Sequence, residues 1–204
     1  MITDAQRKEL IEEFAELDDD GVIMQKEVYA HVGLLFFKFA LIEHSLINIL
    51  TLHFAFGELA AKRIRSKAEW EQAHDRGFEQ AKQKTLGNLV RAVSQIPDFT
   101  PFIDELNEIK RHRDYFAHHF FREEVGFYSS DEGCWHLLWA IKQLRDQLVA
   151  LDAQLSAALE TMCERLGTPW PTEEVLQRGQ LQIVEETEAR IKAGVPFPWQ
   201  KAGG

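Results

Sequence analysis

A chain of 204 residues, 45% hydrophobic and with few glycines and prolines, is long enough for one substantial core and describes a helix-rich globular protein. Its two cysteines exclude a disulfide framework, and an acidic N-terminus without a signal-like apolar core points to the cytoplasm. The net charge of −10 opposes nucleic-acid binding unless a local basic surface overrides the global field.

Residues 3–17 read as a first helix, with Thr3 and Gln6 at capping-box spacing and Leu10, Ile11, Phe14 and Leu17 on its apolar face. Asp18-Asp19-Asp20-Gly21 ends it; this run lacks the spacing and closing glutamate of a calcium loop and reads as a solvated turn. Residues 22–56 form the next helix, apolar on most sides from Val32 onward, as a central helix is. It has the length of a membrane span, but Lys38, Glu43, His44, Asn48 and His53 are each expensive in a bilayer, so a buried helix and no membrane association is the reading. Residues 57–76 weaken into a short charged helix and connector, and 78–96 are predicted helical, closed by Pro97.

A helix over 102–122 follows, entered near Pro101, and residues 125–135 are a loop or a small hairpin with Gly126 and Gly133. A long helix over 134–166 places Leu138, Ile141, Leu144, Leu148, Leu151, Leu155, Leu159 and Met162 at steps of three and four; Trp135, Leu138 and Trp139 are assigned to the core. Gly167-Thr168-Pro169-Trp170-Pro171 breaks it before a final helix to 193, and the tail Pro196-Phe197-Pro198-Trp199 is suited to cover an apolar groove on its own or a neighbouring chain. The expected fold is all-α, an up-and-down helical bundle with N- and C-terminal helical additions. Its domains are residues 1–166 for the bundle and 167–204 for a C-terminal helix and tail packing on the bundle or a partner.

The stretch 105–122, ELNEIKRHRDYFAHHFFR, stands out. Alternating steps of four and three pick out Phe102, Leu106, Ile109, Arg113, Phe116 and Phe120, a helical seam that is apolar except at Arg113. A guanidinium on such a seam is paired, at a subunit interface, or lining a cleft that binds an anion, since burying it alone costs several kcal/mol. The lone acid in the apolar part of the preceding long helix, Glu43, is the expected partner of Arg113, and Asn48 is a further polar lining residue.

Arg113-Asp114-Tyr115-Phe116-Ala117-His118, an arginine, a polar residue and a histidine after four intervening positions, resembles the signature of the HEPN superfamily, small helical proteins of which many are metal-independent ribonucleases of toxin, antiphage and RNA-processing systems. With His119-Phe120-Phe121 following, the string is similar to an uncharacterised bacterial branch of that group. The upstream apolar helix with Glu43 and the Thr85-Leu86-Gly87-Asn88-Leu89-Val90 helix come in an order similar to the family's; the resemblance covers residues 22–166. It implies a homodimer in which the motif helices of two subunits lie side by side, with Arg113 and His118 catalytic, RNA as substrate and a cognate antitoxin or other partner protein. The implied products are a 2',3'-cyclic phosphate and a 5'-hydroxyl. A branch controlled by nucleotidyl transfer needs a tyrosine where this chain has Phe120, so that control is not implied.

On an ideal helix Arg113 and His118 are about 140° apart, so they do not share a face. Asp114 and His118 do, and so does Arg111. Asp114 is therefore expected to orient the imidazole, while Arg113 reaches round by its stem or the helix loosens near Ala117; failing both, Arg111 is the substitute phosphate contact. His119 reads as a bystander, although its spacing from Arg113 also fits the family's tolerance. Candidate basic patches are Lys62, Arg63, Arg65 and Lys67; Lys82 and Lys84; and Lys110, Arg111 and Arg113. The remaining histidines are scattered without a carboxylate or cysteine at ligand spacing, so neither a metal nor a cofactor is expected. A competing class is a non-catalytic helical interaction module that keeps this fold, dimerises through the seam, buries Arg113 in its ion pair and leaves His118 to solvent or a carbonyl.

Overall fold

The computed structural model describes residues 23–168, 173–195 and 197, without the side chains of residues 173, 175, 176 and 179. Every regular element among them is helical: α1 (Ile23–Ala60), α2 (Lys67–Lys82), α3 (Leu86–Val93), a 3₁₀ turn (Pro97–Phe102), α4 (Ile103–His118), the single-turn α5 (Phe120–Glu123), a second 3₁₀ turn (Val125–Ser129), α6 (Asp131–Arg165) and α7 (Glu173–Lys192). The fold is an all-α helical bundle. Asp20–Thr168 make one compact unit, and α7 belongs to another. The expected helix over 3–17, the acidic turn at 18–21, and Trp170, Pro171, Pro196, Pro198 and Trp199 lie outside the described residues.

The bundle is organised by α1, which packs along α6 and α2. Its buried residues Val28, Val32, Leu35, Phe39, Ile42, Leu46 and Ile49 recur in steps of four and three, the pattern that keeps one seam turned toward a partner over a long helix. α6 answers with Ile141, Leu144, Leu148, Leu151 and Leu155. Each such side chain contributes about 1.5–3 kcal/mol on burial, so this seam is the main block of stabilisation. Ser45 donates to Asp152 at 2.6 Å between the two helices. At the start of α1, Gln25 Nε2 donates to the Tyr128 carbonyl at 3.0 Å and ties down the second 3₁₀ turn.

By length and composition α1 is apolar enough to cross a membrane. In the bundle its neighbours bury the seam and leave Leu34 and Phe37 exposed, so the helix is covered on fewer sides than its composition suggests.

Several boundaries differ from the sequence reading, each for a local reason. The predicted helix over 78–96 is two helices separated at 83–85. α2 begins earlier because the Ser66 hydroxyl caps it, accepting from Glu69 N at 3.2 Å, while the Glu69 carboxylate accepts from Arg65 N at 2.5 Å. The motif helix stops at His118 rather than running to 122, since His119 leaves helical geometry (φ −126, ψ −38), its N–H donating to the Tyr115 carbonyl at 2.8 Å. The predicted loop or hairpin is a 3₁₀ turn leading straight into α6. Ser130 caps α6 by accepting from Gly133 N at 3.2 Å, and Asp131 and Glu132 complement its dipole. A β-carbon at Gly133 would collide with the Phe127 carbonyl, so only glycine lets the turn lie this close.

The tryptophans need correction too. Leu138 is buried, but Trp135 and Trp139 are each 60% exposed, because they follow Cys134 and Leu138 by one position and are rotated about 100° off the buried stripe. Cys134 and Cys163 are free, buried thiols.

Candidate functional site

The site is built on α4, which the 3₁₀ turn with Pro97 and Pro101 introduces. Asp104 and Glu105 in its first turn and His118 in its last both suit the helix dipole. Leu106 and Ile109 are buried on its inward seam, and Phe116, half-buried, rests against Phe39 of α1 with ring centroids 6.4 Å apart. Arg113 occupies the same seam, yet its side chain keeps 39% of its surface exposed. Its Nε stands 4.0 Å from Glu43 Oε1, and its Nη1 donates to Asp114 Oδ1 at 3.3 Å. The two unusual charges face each other as a loose ion pair, but they do not come within the hydrogen-bonding distance expected of them.

Asp114 does not orient His118. Its carboxylate accepts from Lys110 Nζ at 2.8 Å and from Arg113, and these contacts, that of Lys110 foremost, hold its pKa below the ordinary value. His118 is exposed and its side chain makes no hydrogen bond or ion pair among the described residues; its ring meets His119 edge-on, with centroids 6.4 Å apart. α4 is helical through Ala117 to His118, so the expected loosening is absent. Arg113 and His118 therefore diverge by about 140° within one chain. Arg111, one of the residues that share the His118 face, is exposed and joins no ion pair among the described residues.

His119 is held in a surface cluster. Its Nδ1 lies 2.8 Å from Arg122 Nη2 and 3.1 Å from Glu123 Oε1. One ring nitrogen cannot accept from the guanidinium and donate to the carboxylate at once, and Arg122 satisfies both by also donating to Glu123 at 3.3 Å. The ring stacks on Tyr115 with centroids 6.1 Å apart. Asn48 is half-buried on α1 and its side chain makes no hydrogen bond among the described residues.

Two features escaped the sequence. Tyr115, inside the motif, donates its hydroxyl to Glu124, and that carboxylate with partial burial pushes the phenol up to about 12. The pair borders an apolar groove of about 550 Å³ between α4 and α6, walled by Phe116, Phe120, Phe127 and Ile141. Nothing in the spacing announces this, because a helix break lies between Tyr115 and Glu124. Arg91 is the second, missed although Lys84, Asn88 and Arg91 follow at steps of four and three.

The basic patches sort by neutralisation. Arg63 pairs with Glu58 at 2.7 Å, Lys67 with Glu71 at 3.5 Å and Lys82 with Glu79 at 3.2 Å. Lys62, Arg65, Lys84, Arg91 and Arg111 are exposed and in no ion pair among the described residues. Compared with protein-family models, with curated proteins and with solved structures, the chain matches none. Chemically, the α4 region offers an unengaged imidazole for proton transfer, with guanidinium groups on the same helix suited to phosphate oxygens.

Proposed function

We propose that the chain is a metal-independent endoribonuclease of the HEPN type, acting as a homodimer, with Arg113 and His118 as its catalytic pair. The observation that carries this reading is the Arg113-to-His118 motif at the exposed end of α4, where the imidazole is unengaged and the half-exposed guanidinium is steadied by Glu43 and Asp114. Because the two side chains diverge on one helix, the working site draws on two copies of α4, which supply two histidines and two arginines. One imidazole takes the proton of the ribose 2'-hydroxyl, and the 2'-oxygen attacks phosphorus. Guanidinium groups stabilise the phosphorane, the bond to the 5'-oxygen breaks, and the second, protonated imidazole delivers its proton to that oxygen. The products are a 2',3'-cyclic phosphate and a 5'-hydroxyl. Arg111, on the His118 face, serves as a phosphate contact from the same chain.

The test is cleavage of total cellular RNA by purified protein in EDTA, beside Arg113→Ala and His118→Ala, with product ends determined. Cyclic-phosphate ends from the wild type, lost in both variants at unchanged folding, support the proposal. No cleavage, or cleavage that survives both substitutions, sinks it.

A second reading has its own observation. His118 faces solvent and Arg113 sits in ion pairs, as expected of a helical interaction module that dimerises through the motif helix, although Arg113 is half-exposed where that module would bury it; the apolar groove beside Tyr115 adds a surface for a partner. A stable dimer without nuclease activity favours it.

A further inference from the structure

We propose that α3 and α4 form a sequence-blind track for the phosphate backbone of a nucleic-acid strand, with Lys84, Arg91, Lys110 and Arg111 as its cations. The chain as a whole carries −10, so a surface on which Lys84, Arg91 and Arg111 have no ion pair among the described residues, Lys110 alone being paired with Asp114, is a local exception to its field. Three shallow grooves meet there. One of about 400 Å³ between α3 and α4 shares Asn88 and Arg91 with a groove of about 670 Å³ on the α2–α3 side, and shares Asn107 and Lys110 with one of about 620 Å³ along α4. Shared walls make them one continuous surface.

That surface suits phosphates and not bases. No aromatic ring lines any of the three grooves, so stacking, the usual grip on a single-stranded base, has no platform. Side-chain amides of Asn88, Asn107 and Gln83 are donors of the kind that hold backbone oxygens. An acidic protein partner fits less well, because the lining has no aromatic anchor for a protein hot spot. Lys110 bridges the two helices. A β-carbon on Gly87 would stand 3.0 Å from Lys110 Cε, so the stem lies across the first turn of α3 while the ammonium reaches Asp114. Asp104 is the one carboxylate among the lining residues.

The track also has a direction. Asn107, Arg111 and His118 are spaced by four and seven along α4 and share its exposed face, so a strand on the track is led toward His118. Only this last step rests on the ribonuclease reading.

The experiment is binding of a fluorescent all-2'-deoxy oligonucleotide, which lacks the attacking hydroxyl, to the full chain across a salt series. The wild type is compared with the triple variant Lys84→Ala, Arg91→Ala, Arg111→Ala and with Asp104→Asn, folding being checked by circular dichroism. Each backbone contact to a single strand contributes about 0.7 to the slope of log affinity against log salt, so the triple variant loses about 2 from that slope and weakens binding by more than about tenfold. Asp104→Asn tightens binding, a gain that misfolding cannot mimic. Scrambling the oligonucleotide sequence leaves affinity unchanged. Unaltered slope in the triple variant, absent wild-type binding, or equal competition by polyglutamate overturns the track. Salt-dependent binding without RNA cleavage keeps the track and removes the nuclease; cleavage unaffected by the triple variant does the reverse.

Discussion

The two faces of α4 carry the same residue type in opposite circumstances. Inward, Arg113 lies in a row with Leu106, Ile109 and Phe116, and Glu43 and Asp114 answer its charge. Outward, Arg111 stands exposed beside Asn107 and His118 with no ion pair among the described residues. One helix thus carries one charge engaged in its architecture and another left exposed, the one that the proposed track uses. A guanidinium on the seam must be neutralised because water is partly excluded there, whereas one on the open face keeps its full potential for an anion that arrives later.

The largest expected effect separates the faces by activity. His118→Ala lowers RNA cleavage by on the order of 10²- to 10⁴-fold, the worth of a positioned acid or base, and leaves the thermal midpoint in place because no described side chain hydrogen-bonds to that imidazole. A variant that folds and cuts at the wild-type rate would remove the outward face from the chemistry. The next effect separates the faces by stability. Leu106→Ala, at a residue with no exposed surface, costs about 2–5 kcal/mol in denaturant unfolding, while Asn107→Ala one position away stays within about 0.5 kcal/mol. Comparable losses at both positions would mean that the outward face is packed against something after all.

Much of this division was legible in the sequence. The steps of four and three that place Leu106, Ile109 and Arg113 on one seam are backbone geometry, and the lone Glu43 in an apolar helix pointed to the side of Arg113, though the two stand 4.0 Å apart, without the hydrogen bond expected of them, because both stay more than a third exposed. The expected partnership of Asp114 with His118 was not realised. Spacing makes both Lys110 and His118 neighbours of Asp114, each four residues away, and a primary ammonium competes better for a carboxylate than an imidazole that need not be charged. The end of the motif helix was misjudged because apolar Phe120 and Phe121 continue a helical pattern across the break at His119. The exposed tryptophans show the limit of size as a guide, since being one position off the buried stripe outweighs a large apolar side chain.

A smaller effect tests the inward ion pair. Glu43→Gln keeps the shape of the side chain and removes its charge, and because both partners are more than a third exposed the loss of stability is less than about 1 kcal/mol. Its effect on cleavage is the sharper measure. If Glu43 aims Arg113, kcat falls while the affinity of the all-deoxy oligonucleotide is unchanged. A fall in binding at constant kcat would instead place Arg113 among the residues that hold the strand.

Asp114 touches both faces, accepting from Lys110 of the track and from Arg113 of the seam, and it gives the smallest effect. The Lys110 hydrogen bond, and after it the contact with Arg113, hold its folded-state pKa below the ordinary 3.8. A depressed carboxylate stabilises the fold fully above its unfolded value and loses that contribution as pH falls through the lower folded value. Asp114→Asn therefore lowers the thermal midpoint slightly at neutral pH, the equivalent of a few tenths of a kcal/mol for a half-exposed pair, and the gap to wild type closes as the solution is taken below 3.8. A gap that persists in acid would show that Asp114 acts through packing and not through charge. The same substitution frees Lys110 from its carboxylate, so oligonucleotide affinity rises as stability falls. Opposite signs in the two measurements are what a residue shared between an architectural face and a ligand face must give.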